Sequence, residues 1–141
     1  MYVKQLSVFV TNKPGRLAEI TSLIAEEGIN MRALSVSDTT EFGILRMIVD
    51  KPDAAYAMLK NAGLTVSLTD VIAIGIEDKP GSFASAIKVL ADADITVDYI
   101  YAFVPRVEAS AYVILHVGDN EQAVKALNAA GIELVTPEKI L

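Results

Sequence analysis

Asn12-Lys13-Pro14-Gly15-Arg16-Leu17-Ala18 is answered, sixty-six positions later, by Asp78-Lys79-Pro80-Gly81-Ser82-Phe83-Ala84. This echo decides the fold, because self-similarity at a fixed spacing marks one structural unit used twice. The same shift lays Gly28-Ile29-Asn30-Met31 on Asp94-Ile95-Thr96-Val97. Farther along the shift grows by two, and Ala55, Leu59, Ala62 and Gly63 fall on Ala123, Leu127, Ala130 and Gly131. The two extra residues are expected in a turn around Pro105-Arg106, since insertions belong in loops.

The apolar periods repeat with the identities. Leu6, Val8 and Val10 alternate, as do Ile72, Ile74 and Ile76, and alternation is the strand signature. Leu17, Ile20 and Ile24 are spaced for one face of a helix, answered by Phe83, Ile87 and Leu90. Pro14 and Pro80 suit the first turn of those helices, where a missing N–H costs nothing. Gly28 suits the helix end, whereas Asp94 is a less comfortable choice there if the backbone is left-handed. Strands follow at Leu34–Val36 and Ile100–Val104, then at Leu45–Val49 and Val113–Val117. A second helical stripe runs through Ala55, Met58, Leu59 and Ala62, matched by Ala123, Ala126, Leu127 and Ala130. Short strands at Leu64–Leu68 and Ile132–Val135 close the halves. Each half therefore reads β-α-β-β-α-β, an α+β unit of the ferredoxin-like kind. The expected architecture is two such modules in tandem, residues 1–69 and 70–141. They are expected side by side as one eight-stranded antiparallel sheet with helices on one face, which would remove an exposed edge from each.

Composition narrows the function. With 141 residues, 52% of them hydrophobic, the chain can bury a real core. A net charge of −6, with basic residues scattered, argues against nucleic acid, whose affinity comes largely from Lys and Arg on phosphates. No apolar run is long enough to span a membrane, and no signal peptide is read at the N-terminus. The lack of cysteine excludes thiolate sites and fits a cytoplasmic location. His116 is the only histidine, and neither a metal set, a Ser-His-Asp order nor a nucleotide fingerprint is found. The expectation is a chain with no catalytic residues, metal or cofactor.

Chemistry concentrates in the first loop of each half. Glycine lets a ligand approach the backbone, and free N–H groups at a helix start suit a carboxylate. Asn12 or Asp78 could take an ammonium, so an amino acid would satisfy both ends. The plainer reading is that Pro-Gly makes a tight turn. Arg16 divides the same way: it could neutralise a ligand carboxylate, or it could be a solvated first-turn residue.

The run of strand, Asn-Lys-Pro-Gly-Arg-Leu-Ala, amphipathic helix and Glu-Gly-Ile-Asn resembles the ACT domain, over essentially the whole chain as a tandem pair. The resemblance is to free-standing double-ACT proteins, which bind amino acids and regulate metabolic enzymes. It implies a free amino acid ligand held near Asn12, Gly15, Arg16, Leu17 and Asn30, at a junction of modules. The second half departs from the pattern, with Asp78 and Thr96 for the two asparagines. Its candidate contacts are Asp78, Gly81 and Ser82, with Tyr99 as a cover.

The sheet face away from the helices is expected to carry Tyr99, Tyr101, Phe103, Tyr112, Ile114 and His116. Phe42, Ile44 and Ile48 are the analogues in the first half. An apolar face of that kind calls for burial, most simply in a homodimer, or for ligand contact by Tyr99 or Tyr101. His116 is read as structural or interfacial. Two other functions stay open: a ligand-free interaction subunit of an amino-acid biosynthetic enzyme, and a small enzyme on the same fold.

Overall fold

The computed structural model describes residues 2–38, 41–103 and 110–140. The chain divides into two compact units, Lys4–Thr69 and Asp70–Ile140, the latter joined by Tyr2 and Val3. The turn expected around Pro105-Arg106 lies outside the described residues, as does Val104.

The first module runs β1 (Val3–Thr11), α1 (Arg16–Glu26), β2 (Met31–Asp38), β3 (Phe42–Val49), α2 (Pro52–Asn61) and the start of β4 (Val66–Glu77). Its strand order is β2-β3-β1-β4. β1 pairs antiparallel with β3, Leu6 opposite Met47 and Thr11 opposite Phe42. The alternating set Leu6, Val8 and Val10 meets Ile20 and Ile24 of α1 and Ala55 and Leu59 of α2 in one core. Both helices therefore lie on one face of the strands.

The second module repeats the plan with the end of β4, α3 (Ser82–Asp92), β5 (Val97–Phe103), β6 (Ser110–Val117), α4 (Asn120–Ala129) and β7 (Glu133–Leu134). A short α5 (Pro137–Ile140) follows. Here β5 pairs β6, β6 pairs β4, and β4 pairs β7, the same order as in the first module. Ile72 and Ile74 pack with Ala86, Leu90, Ala123 and Leu127.

Three details correct the expectations. Leu64–Leu68 and Ile72–Ile76 are not two strands: Val66–Glu77 is one continuous strand, so the described residues hold seven strands rather than eight. Pro14 and Pro80 do not open the helices, which start at Arg16 and Ser82 after left-handed glycines. β2 and β5 also each carry a bulge, between Met31 and Ala33 and between Val97 and Tyr99, which inserts Arg32 and Asp98 respectively. Asp94 does adopt the left-handed conformation, at φ 60° against 68° for Gly28.

The face away from the helices is apolar in part: in the first module Gln5, Ser7 and Arg46 share it with Phe9, Ile44 and Ile48. Ile48, Val71, Ala73, Tyr112 and Ile114 are each buried within the single chain. For these positions no second copy is needed to exclude water. Tyr99 stacks on His116 with centroids 4.7 Å apart, and His116 Nδ1 meets Asp98 Oδ2 at 2.9 Å. His116 is thus held by the bulge residue and its neighbour.

Candidate functional site

The first loop is a Pro-Gly turn whose geometry follows from its residues. Arg16 N–H donates to the Lys13 carbonyl at 3.2 Å, and Gly15 sits at φ 83°, ψ −12°. That is the third position of a type II turn, which favours Pro second and Gly third. A Cβ on Gly15 would meet nothing within 4 Å, so the demand for glycine there is conformational, not steric. The second loop repeats the turn, with Ser82 N–H on the Lys79 carbonyl at 3.3 Å and Gly81 at φ 91°, ψ −17°. Neither α1 nor α3 has a side-chain cap at its start.

Beside the first turn lies an open cleft of about 440 Å³, lined by Phe9, Thr11, Arg16, Phe42, Gly63, Leu64 and Thr65. Its elements are the end of β1, the start of α1 and the approach to β4. Phe9 is out of phase with Leu6, Val8 and Val10, so it points away from the core and stands half exposed. Arg16 supplies the charge. Its Nη1 donates to Glu19 Oε2 at 3.0 Å, and its Nε is buried with no partner among the described residues. A buried donor left unpaired is costly, and an incoming carboxylate would relieve that cost.

The second module has a cleft of about 460 Å³ at the same place, lined among others by Gly75, Glu77, Lys79, Gly81, Ser82, Gly131, Ile132 and Glu133. The positions correspond: Phe9 to Gly75, Thr11 to Glu77, Arg16 to Ser82, Thr65 to Glu133. The chemistry is inverted. Glu77 pairs with Lys79 at 2.9 Å and Glu133 with Lys139 at 2.6 Å. The Lys79 ammonium, through its hydrogen bond first and its charge second, holds the Glu77 carboxyl below the usual carboxylate range. Lys79 and Lys139 are each raised by the carboxylate they bond.

The residues expected from the sequence fall in several places. Arg16 lines the first cleft, with Gly15 in the adjoining turn; Gly81 and Ser82 line the second. Asn12 is exposed in the turn, its N–H on the Glu41 carbonyl at 3.2 Å, and Asp78 is exposed at the matching position. Leu17 is partly exposed on α1. Asn30 sits at the other end of the module, its N–H on Asp50 Oδ1 at 3.0 Å. Roughly 25 Å of strand separates it from Asn12, given about 3.3 Å per residue. Tyr99 lines a separate apolar groove with Phe83, Ile87, Leu90 and Ile100. The cleft residues Phe9, Thr11, Thr65, Glu77 and Glu133 were not singled out from sequence, and Phe42 was named only for the sheet face away from the helices. Phe9 carried the one usable signal, an aromatic on the wrong phase of its strand. Among the described residues, no group of three potential metal ligands comes together, and no helix is long and apolar enough to cross a membrane.

Comparison with known proteins agrees with the fold. The family model described as an ACT domain pair matches residues 1–139. The crystal structure of protein BT0572 from Bacteroides thetaiotaomicron is similar over 99% of this chain and 96% of that one, at 34% identity and a TM-score of 0.93. The ligand-free regulatory subunit of aspartate kinase from Thermus thermophilus shares the fold at 19% identity. It covers 90% of this chain and 91% of its own, with a TM-score of 0.67. The corresponding subunit from Thermus flavus gives 18% identity, coverage of 91% and 92%, and a TM-score of 0.63. No curated protein matches the chain.

Proposed function

This chain belongs to the ACT domain pair family, and from that premise we propose that it is a non-catalytic sensor of a free amino acid that regulates a metabolic enzyme. The ligand is proposed to sit at the first loop, in the cleft of Phe9, Thr11, Arg16 and Thr65. The observation that carries this reading is Arg16, which lines that cleft and whose Nε is buried without a partner among the described residues. A guanidinium held in a cleft suits the planar carboxylate that every amino acid carries. The half-exposed rings of Phe9 and Phe42 offer an apolar surface for a side chain. Two of the similar structures are themselves regulatory subunits of aspartate kinase, which supports a regulatory role for the fold. Regulation then follows if the ligand prefers one conformation of the chain or its assembly, since only differential affinity shifts an equilibrium.

A thermal-shift panel of the common amino acids, each at millimolar concentration, tests the proposal. At least one is expected to raise Tm, and Arg16→Ala is expected to erase most of that rise. A panel in which none raises Tm would sink amino-acid sensing.

A second reading, a contact-only regulatory subunit, is favoured by one specific observation. Leu34 and Val36 on β2, and Phe83 and Ile100 on α3 and β5, are large apolar side chains left exposed. Copurification of an enzyme from the native source, unaffected by Arg16→Ala and by added amino acids, would favour it over sensing.

A further inference from the structure

Resting on the sensor reading, we infer that carboxylate selectivity is decided at two pairs of equivalent positions, Arg16 with Ser82 and Thr65 with Glu133, so that the second cleft refuses the ligand the first accepts and each chain takes one ligand.

The two clefts are built from the same elements, so a difference in binding must come from side chains. Glu133 lies on β7 directly opposite Gly75 of β4. A Cβ on Gly75 would come within 2.7 Å of Glu133 Oε2, so the glycine leaves the room that this carboxylate fills. The first module has the Phe9 ring and Thr65 there instead. Two residues along β4, on the same face as Gly75, stands Glu77 where the first module has Thr11. Ser82 is short and uncharged where Arg16 offers a guanidinium. The two lysines near the second cleft are already engaged, Lys79 by Glu77 and Lys139 by Glu133. A ligand carboxylate entering here meets two like charges and, among the described residues lining the cleft, no cation without a carboxylate partner; in the first cleft it meets Arg16, which is paired with Glu19 through Nη1 but keeps an unpartnered Nε. Loss of one charge-assisted hydrogen bond alone weakens binding by roughly tenfold or more.

The test is amide-resolved NMR of the full chain titrated with an equimolar mixture of the common amino acids. In the native protein the amides of Gly15, Arg16 and Leu17 are expected to shift, while those of Gly81, Ser82 and Phe83 stay still. In the double variant Ser82→Arg with Glu133→Thr, the second loop is expected to respond as well. Glu133→Gln, which keeps the bulk over Gly75 and removes the charge, should recover part of that response when combined with Ser82→Arg. Equal shifts at both loops of the native protein would overturn the inference while leaving the sensor reading intact. So would a second loop that stays silent in the double variant while the first responds. Silence at both loops in every protein, with spectra that show each is folded, would overturn the sensor reading and the inference with it.

Discussion

The first cleft is lined by an arginine, paired with Glu19, together with phenyl rings and threonines; the second, at the same place in the same fold, presents two carboxylates, each tied to a lysine. Beneath them the two cores are nearly interchangeable. Leu59 and Leu127 are both fully buried, as are Ile24 and Leu90, and both loops make the same left-handed glycine turn. The contrast teaches where a duplicated fold is free to change. Core positions are fixed by packing at crystal-like density, so both copies must solve the same problem. Cleft positions bear little of the folding energy, so their chemistry can invert without cost to the scaffold.

The sharpest way to break that equivalence is in the cores. Leu59→Ala and Leu127→Ala are each expected to cost about 2–5 kcal/mol, as buried leucine truncations do. Urea unfolding of the two variants should give similar losses. A loss confined to one of them would mean the modules are not equivalent scaffolds. The turns come next. Gly15→Ala and Gly81→Ala each force an L side chain into the left-handed region, at about 1–2 kcal/mol. The cost to Tm should match in the pair, while only Gly15→Ala should also weaken the ligand-induced shift. A smaller gain is expected from Asp94→Gly, which gives the second module the residue that the first has at Gly28. Relief of the left-handed aspartate, offset by glycine's extra chain entropy, should stabilise by about 0.5 kcal/mol, read as a raised urea midpoint. No gain would mean that Asp94 is accommodated locally.

The smallest effect concerns Glu77 and Lys79, a pair the first module lacks because Thr11 stands in the place of Glu77. Glu77 is depressed in the folded chain by Lys79, so its contribution is present above the usual carboxylate range and is lost as pH falls through the folded value. Lys79 is raised by Glu77, so its contribution is present below the usual lysine value and is lost as pH rises through the folded one. Lys79→Gln should therefore move the Glu77 carboxyl upward in an NMR titration. Stability at neutral pH should hardly change, because the pair is exposed. A Glu77 titration that does not move would remove the ion pair from the account of the second cleft.

Most of the scaffold was legible in the sequence because it rests on periodicity. Leu6, Val8 and Val10 against Ile20 and Ile24 needed only strand and helix phases to be placed in one core. Asp94 was legible for a related reason, since a helix end that takes glycine in one copy tells of left-handed backbone in the other. What escaped was set by non-local geometry. The polar step at Thr69-Asp70 reads as a break between strands, yet the backbone runs through it as one strand, because hydrogen-bond partners rather than composition decide continuity. The bulges at Arg32 and Asp98 leave no apolar signature, since an inserted polar residue looks like ordinary alternation. The candidate site was legible in part. Arg16 and the Pro-Gly turn were visible as a motif, but Phe9, Thr65, Gly75 and Glu133 reach the clefts from β1, β4 and β7, and only pairing across the sheet brings them there. Asn30, chosen from the resemblance, stands at the far end of the module from Asn12.

The proposed site is tested most directly by where a ligand's carboxylate goes. A crystal structure of the chain with the amino acid that raises Tm most would show it. The carboxylate is predicted within hydrogen-bond distance of Arg16 Nε, in the cleft of Phe9, Thr11 and Thr65, with the second cleft free of ligand. A ligand seated instead at Gly81 and Ser82, or one in the first cleft with its carboxylate turned away from Arg16, would contradict it.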